Sequence, residues 1–467
     1  MDVDTIVSLS TPAGIGAIAV VRLSGPDANG ILERLTASEL PEVRCATLRE
    51  LRDPTDGSVI DQALITRFAA PASYTGEDVV EFSCHGGWLI ADLLVEACVQ
   101  SGARMAEPGE FTRRAYLRGK LDLIQVEAIA DLIEARSRAL HRTAVSQMER
   151  GLSERIDGLR KSIVHVEALL AHHVDFPEED DAPVPLDRVM TESRTLAGEM
   201  RAMLATAPEG ELLREGALVV FAGRPNAGKS SLYNALLGEE RAIVTEEPGT
   251  TRDALEATIQ AGGFPFRLVD TAGLRDSTDR IERMGIEVAL RYLDGADLIL
   301  FCAPSNEGLS EEDVEFITAD RDVPVVLVRT KADVPASTDD VTDAPSEDGV
   351  GGGVGGGDAT IAHRVRVSVQ TGEGLGALRE LLPRLVYSGL VQASAETPVL
   401  TRRRQADALG RAAAEVEAFG RGLADGLPAE VAASHLRTAE TALEELLGIV
   451  SVDDVLDVVF REFCIGK

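Results

Sequence analysis

Gly223-Arg-Pro-Asn-Ala-Gly-Lys-Ser230 lies between an apolar run, Ala217 to Ala222, and a helical pattern, Ser231 to Leu237. That order predicts strand, loop and helix, the context in which the spacing G-x-x-x-x-G-K-S carries chemistry. Glycines let backbone N–H groups converge on an anion, a helix N-terminus adds partial positive charge, and a lysine ammonium reaches the terminal phosphates. The phosphate contacts read from this loop are Asn226, Ala227, Gly228, Lys229, Ser230 and Ser231, with the Ser230 hydroxyl as a Mg²⁺ ligand. Two further stations follow in order, Asp270-Thr271-Ala272-Gly273 and Thr330-Lys331-Ala332-Asp333.

Asp333 is read as the base selector. A carboxylate accepts from guanine N1–H and N2–H₂, whereas adenine offers no such donor pair and would leave a buried Asp unpaired. Thr330 keeps a hydroxyl where an Asn amide is usual in this motif, so weaker base affinity with retained selectivity is expected. Ser368, Val369 and Gln370 are read as closing the base pocket with backbone N–H groups. Asp270 ends a predicted strand and faces Mg²⁺ through water, and the Gly273 N–H is aimed at the γ-phosphate. Leu274 follows where switch GTPases use a water-orienting Gln, so an apolar side chain leaves that task to another group. Glu282, in Asp279-Arg-Ile-Glu282, is the acidic candidate for it, and from the residues alone it reads as a solvated helix position. The segment Thr245-Glu246-Glu247-Pro248-Gly249-Thr250-Thr251 brings hydroxyls and turn carbonyls to the phosphates. Thr251 is read there as a second Mg²⁺ ligand, and the carbonyls with the Asn226 side chain as a monovalent-cation loop.

Around this centre, apolar strands at 217–222, 266–270, 298–303, 324–329 and 364–369 alternate with helices and predict a mainly parallel sheet. Ala254 to Gln260 is expected as an antiparallel edge strand. Residues 335–360, with their Gly-rich run, are expected to be a disordered loop. Upstream, strand-like runs at 5–9, 18–23, 61–68 and 78–83 mix with helices at 28–35 and 88–101, which predicts a small α/β domain. The chain turns helical from Asp122 to His173, again from Leu186 to Thr206, and again after residue 385. The expected organisation is therefore an α/β domain at 1–120, a helical domain in two parts at 121–215 and 385–467, and a nucleotide domain at 216–384 inserted between those parts.

The net charge of −32 opposes nonspecific contact with nucleic acid. Any RNA contact needs a local basic patch, and Arg113, Arg114, Arg118, Lys120 and Arg402 to Arg404 are the runs that offer one, against the plainer reading of solvated surface charge. The five cysteines show neither a CxxC pair nor a disulfide framework, no stretch is long and apolar enough to span a membrane, and a cytoplasmic location is expected. The chain holds only five lysines (120, 161, 229, 331 and 467) against 41 arginines. A scarce residue survives where a compact ammonium is needed and a planar guanidinium will not serve. Lys229 and Lys331 already sit in nucleotide motifs, which marks Lys120 and Lys467 for attention.

With these residues laid out, the chain resembles the tRNA modification GTPase MnmE (TrmE) family over nearly its whole length. The marks are Asp4-Thr-Ile-Val7, Ser73-Tyr-Thr-Gly-Glu-Asp78, His85-Gly-Gly87, Pro108-Gly-Glu-Phe-Thr-Arg-Arg114, Gly119-Lys-Leu-Asp122, Asp175-Phe-Pro-Glu178, Gly249-Thr-Thr-Arg-Asp253 and Phe463-Cys-Ile-Gly-Lys467, besides the phosphate loop. The resemblance implies an N-terminal α/β folate-binding and dimerisation domain, a discontinuous helical domain and an inserted Ras-like P-loop GTPase domain. It implies a homodimer that hydrolyses GTP with K⁺ and Mg²⁺. It also implies a tetrahydrofolate derivative (5-formyl or methylene form) and an FAD-binding MnmG partner, in a heterotetramer or larger, with FAD held only by the partner. Together they add a carboxymethylaminomethyl-type group to C5 of the wobble uridine of tRNA, which is bound mainly through the complex. Carried over by residue, Arg22, Glu81, Lys120 and Lys467 are folate contacts; Asn226, Thr245, Glu247 (by its carbonyl) and Thr250 hold K⁺; Ser230 and Thr251 hold Mg²⁺; Glu282 orients water. Cys464 is read either as a reactive thiol tuned by Lys467 or as a packed side chain. The early loop Gly14-Ile-Gly16-Ala17 departs from the family pattern, as do Thr330 and the insertion after Asp333.

Gly14-Ile-Gly-Ala-Ile-Ala19 loosely matches a dinucleotide fingerprint, but strand rather than helix is predicted after it. A regulatory GTPase switch in ribosome assembly would expect a basic RNA-binding module or a tandem G domain, and this sequence has neither.

Overall fold

The computed structural model describes residues 4–175, 185–239, 256–270, 290–335, 361–392 and 398–450, together with 456, 459, 460, 463 and 466. Two compact units emerge, one from Met1–Ile133, Ser146–Gly198 and Ala408–Lys467, the other from Glu134–Val145 and Glu199–Asp407.

The first unit carries a sheet of β1 (Ile6–Leu9), β2 (Ile18–Ser24), β3 (Thr47–Arg52), β4 (Val59–Phe68), β5 (Val79–His85) and β6 (Arg104–Met105), in the order β3-β4-β5-β2-β1-β6. All its neighbours are antiparallel except β1 with β6. Burial alternates along β2 and β5, as expected where one face of an antiparallel sheet carries the core. Helices Ala28–Thr36 and Trp88–Gln100 supply Ile31, Leu32, Leu35 and Leu94 to that core, beside Val21, Leu23 and Phe82. In the same unit the long helix Gly151–Asp175 packs along Ala429–Leu447. Arg160 meets Glu440 at 3.1 Å across that seam.

The second unit holds the sheet β12-β11-β10-β7-β9-β8, formed by β7 (Ala217–Ala222), β8 (Glu256–Ala261), β9 (Phe264–Asp270), β10 (Leu298–Pro304), β11 (Val325–Thr330) and β12 (Ile361–Arg366). Every pairing is parallel except the β8–β9 hairpin. Every residue of β7 and β10 is buried, the pattern of strands covered on both faces. Val219, Phe221, Leu300 and Val328 feed one core layer, and Leu218, Val220, Ile299 and Phe301 feed the other. The first strand of the unit, β7, lies between β10 and β9. That is a topological switch point, where ligands bind outside the carboxyl ends of the strands.

Tyr387 closes this unit. Its ring stacks on Phe264 with centroids 4.8 Å apart. Its hydroxyl accepts from the Ala217 N–H at 3.3 Å and faces the carbonyls of Pro265 (2.8 Å) and Leu212 (2.9 Å). The start of β7, the start of β9 and the end of helix Ala207–Glu215 thus share one buried phenol.

β12 runs over 361–366 rather than the expected 364–369. The chain leaves the sheet there because Ser368 donates its N–H to Glu373 and begins a turn. β3 and β6 were not foreseen. The basic run at 113–120 is not a free patch either. Arg114 is only 3% exposed and paired with Asp4, Glu77 and Glu110, and Arg118 is paired with Glu77.

Candidate functional site

The phosphate loop begins at the carboxyl end of β7, where Gly223 adopts φ +125°. A Cβ there would lie 2.2 Å from the Cys302 carbonyl oxygen of β10, so only glycine lets the loop leave the sheet. Asn226 and Gly228 also take positive φ (+62° and +86°), the left-handed conformation from which anion-binding backbone turns are built. Helix Lys229–Glu239 starts immediately after. Lys229 is 7% exposed, and its ammonium donates to the carbonyls of Gly223 and Arg224, both at 2.8 Å, which hold it across the loop.

Arg224, inside the loop, was not singled out by the sequence. Its guanidinium lies 3.0 Å from Asp313, a 3%-exposed carboxylate, and donates to the Gly308 carbonyl. Asp313 is the third residue of a capping box with Ser310 at the start of helix Glu311–Thr318. The signal was present as Ser310-Glu-Glu-Asp313, but nothing in sequence joined that cap to the phosphate loop.

The residues expected to read the base follow the ends of β11 and β12. Thr330 is 3% exposed, and its hydroxyl donates to the Ala227 carbonyl at 2.7 Å. The threonine therefore ties the base strand to the phosphate loop with its hydroxyl. Lys331 follows at φ +56°, and the Ala332 N–H donates to the Val367 carbonyl. The Ser368 hydroxyl donates to Asp333 Oδ1 at 2.6 Å and accepts from the Thr371 N–H at 3.2 Å. Of the three residues expected to close the pocket, Ser368 acts through its side chain on the Asp333 carboxylate; Val369 and Gln370 lie in the turn beside it. Replacing Thr330 with valine should weaken GDP binding about tenfold, because the buried Ala227 carbonyl loses its donor at about 1–3 kcal/mol. Calorimetric titration of the two proteins checks this, and equal affinities would mean the tie carries nothing.

Asp270 ends β9 in register with Phe221, and Ser230 is exposed in the first turn of its helix. A hydroxyl at the helix start and a carboxylate at a strand end are hard oxygen donors, the set that suits Mg²⁺. Cys302 lies behind the loop, fully buried, and burial pushes its thiol up to about 12, so it packs and does not react. Thr245, Glu246, Glu247, Pro248, Gly249, Thr250, Thr251, Thr271, Ala272, Gly273 and Glu282 lie outside the described residues, as do Cys464, Lys467 and all of the expected 335–360 loop but Pro335.

A second cluster sits in the first unit. Arg22 on β2 is directly opposite Glu81 on β5, with Nη2 2.8 Å from Oε1. The guanidinium lies over the Tyr74 ring at 5.2 Å and the Phe111 ring at 5.8 Å. The Tyr74 hydroxyl shares a 2.8 Å hydrogen bond with Thr112. Burial pushes the Tyr74 phenol up, against the hydrogen bond with Thr112. Lys120 donates to the Pro71 carbonyl at 3.0 Å and so holds the segment that carries Tyr74. Gly466 reaches the end of β1, its carbonyl accepting from the Ser10 hydroxyl at 3.0 Å. Tyr74, Phe111 and Thr112 complete this apolar-walled, charged cluster.

A sheet of this order, with a phosphate loop at its switch point and the Thr330-Lys-Ala-Asp333 segment following β11, is the arrangement of a P-loop GTPase. Two family models match the chain, the TrmE N-terminus of a GTP-binding protein over residues 5–120 and the MnmE helical domain over 123–464. The tRNA modification GTPase MnmE of Geobacter sulfurreducens is 38% identical over 467 residues, covering 99% of both chains. Those of Laribacter hongkongensis and Moorella thermoacetica are 40% and 39% identical with the same coverage. The crystal structure of Aquifex aeolicus Era Y63A bound to GDP·AlF4⁻ aligns with 42% of this chain and 66% of that one, at 22% identity and a TM-score of 0.26. The chain belongs to the MnmE (TrmE) family.

Proposed function

We propose that this chain hydrolyses GTP with the help of K⁺ and couples that turnover to modification of C5 of the wobble uridine in certain tRNAs. In this reading it is a homodimer that works with an FAD-binding MnmG subunit, and a tetrahydrofolate derivative brings the one-carbon unit. The observation that carries the reading is the Asp333 carboxylate, oriented by Ser368 beside the phosphate loop, in a chain related end to end to tRNA modification GTPases.

The roles follow from the residues. Backbone N–H groups of 226–231 and the Lys229 ammonium grip the β- and γ-phosphates. Bound Mg²⁺ supplies positive charge to the phosphoryl oxygens, and Ser230, Thr251 and Asp270 are the groups that would hold it. Asn226, with Thr245, Glu247 and Thr250, would hold K⁺. Glu282 takes the water-orienting task that Leu274 leaves undone. In the first unit, Arg22 and Lys120, with Lys467, suit the carboxylates of a folate tail, and Glu81 suits pterin donors. The Arg22–Glu81 pair and the ring walls of Tyr74 and Phe111 support that assignment.

Turnover of GTP should be about tenfold or more faster in KCl than in NaCl at equal ionic strength, because a bound cation does the charge-neutralising work of an arginine finger. Phosphate release in the two salts measures it, and equal rates would remove the cation from the mechanism. Mass spectrometry of wobble nucleosides from a deletion strain tests the tRNA role. Unchanged modified uridines there, with ribosomal subunits rather than a flavoprotein in pull-downs, would support the ribosome-assembly switch instead.

A further inference from the structure

Arg136, Arg138, His141 and Arg142 line a cleft of about 1080 Å³ whose facing wall is the β8–β9 hairpin, with Thr258 and Gln260. Among the described residues, no aspartate or glutamate lines it. In a chain of net charge −32, that is a marked local reversal. Arg104, Arg114, Arg118, Arg160, Arg411 and Arg437 all sit in ion pairs. Among the described residues, Arg136, Arg138 and Arg142 have no ion-pair partner.

The segment that carries them is fixed in place. Gln260 donates its side-chain N–H to the Arg136 carbonyl at 2.7 Å. The Ala139 N–H donates to the Gly263 carbonyl at 3.0 Å, and the buried Ser137 hydroxyl accepts from the Leu140 N–H at 3.1 Å. Ala139 and Leu140 are buried in the core beneath the sheet. Arg138 and Arg142 stand four residues apart in helix Arg138–Met148 and share one face, with His141 beside them. Unpaired guanidiniums on an anchored backbone are the arrangement that grips phosphate in a two-pronged fashion with little ordering cost. A cleft at the upper end of small-molecule pocket sizes, roughly 300–1,000 Å³, is too large for one phosphate group. It suits an anion that carries several.

We infer that this cleft binds the phosphodiester backbone of an RNA. The inference rests on the tRNA reading above for its choice of anion. Acid elsewhere on the chain repels a polyanion, so a direct contact must be local, and this cleft offers a basic surface that ion pairs leave open.

The test is fluorescence anisotropy of labelled bulk tRNA titrated with the full chain between 50 and 200 mM salt. The triple variant R136Q/R138Q/R142Q should bind about tenfold or more weakly at the low-salt end. Its slope of log affinity against log salt should be shallower by about 2 to 3, for three lost phosphate contacts. The variant R136K/R138K/R142K should retain most of that slope, and GTP turnover without RNA should be unchanged in both. Unaltered tRNA binding by the glutamine variant overturns the inference, as does a wild-type chain that does not bind tRNA at all. Competition by inorganic tripolyphosphate at equal charge concentration assigns the cleft to free polyphosphate and overturns the RNA assignment. The readouts separate this from the functional reading. Wobble uridines that keep their modification in the deletion strain sink the tRNA role, whereas lost modification together with unaltered binding by the glutamine variant sinks the cleft alone.

Discussion

Asp333→Asn should lower GDP affinity about a thousandfold or more and raise affinity for xanthosine diphosphate. A site built to pair with a donor array rejects a mismatched partner by roughly 10⁴-fold, because buried polar groups are left facing like groups. The carboxylate accepts from the Ser368 hydroxyl through Oδ1 at 2.6 Å, and Ser368 is itself fully buried and held by the turn to Glu373. In the variant the same hydroxyl claims the amide oxygen. The amide NH₂ is then left toward the base, where guanine presents N–H groups and xanthine presents a carbonyl at C2. Calorimetry with both nucleotides measures the exchange. Undiminished GDP binding would mean that Asp333 does not read the base, and the guanine assignment would fall with it.

The nucleotide site was legible in the sequence because its chemistry is local. Gly223, Gly228, Lys229 and Ser230 act within one loop, and the strands at 217–222 and 298–303 are apolar throughout because both faces are covered. Where partners come from distant segments, sequence said less. The run Thr47-Leu-Arg-Glu-Leu-Arg52 spaces its leucines by three, a helical interval, yet pairs with β4 in ten-residue company of a half-buried sheet. Tertiary pairing overrides the local preference there. Thr330 looked like a weakened base contact, and its bond to Ala227 depends on a loop 103 residues away. The helical stretch read from Asp122 to His173 did not reveal that its segment Arg138–Met148 meets the β8–β9 hairpin.

Charge was the least legible property. Arg113, Arg114 and Arg118 read as a basic surface, but Asp4, Glu77 and Glu110 converge on Arg114 from three segments. Arg114→Met should destabilise the protein by about 3–5 kcal/mol, the usual cost of removing one partner from a buried ion network. One Nη donates to the Asp4 carbonyl at 2.9 Å and lies 3.3 Å from Glu77 Oε2. The other meets Asp4 Oδ1 at 2.7 Å and Glu110 Oε1 at 2.9 Å. Arg104 and Arg118 then remain for three carboxylates, so one negative charge among groups such as Glu77, 4% exposed, is uncompensated. Loss on this scale is a large part of a typical total stability of about 5–15 kcal/mol. The urea midpoint should fall with an unchanged slope. Acid pH separates this from lost packing. The hydrogen bond from Arg104 leads in holding the Asp4 carboxyl below its ordinary 3.8, against its burial. For Glu110, burial pushes upward, but hydrogen bonds from Arg104, the Glu107 N–H and Arg114 outweigh it and leave the group below its ordinary 4.5. Depressed carboxyls stabilise the fold above their ordinary values and lose that contribution as pH falls through the folded values. The gap between wild type and variant should therefore be widest near neutrality and narrow below about pH 4, as protonation removes the charges that Arg114 serves. The double variant E77Q/R114M should recover part of the loss at pH 7, since it deletes the orphaned charge. A gap of the same size at every pH, with no recovery in the double variant, would show that Arg114 acts through shape alone.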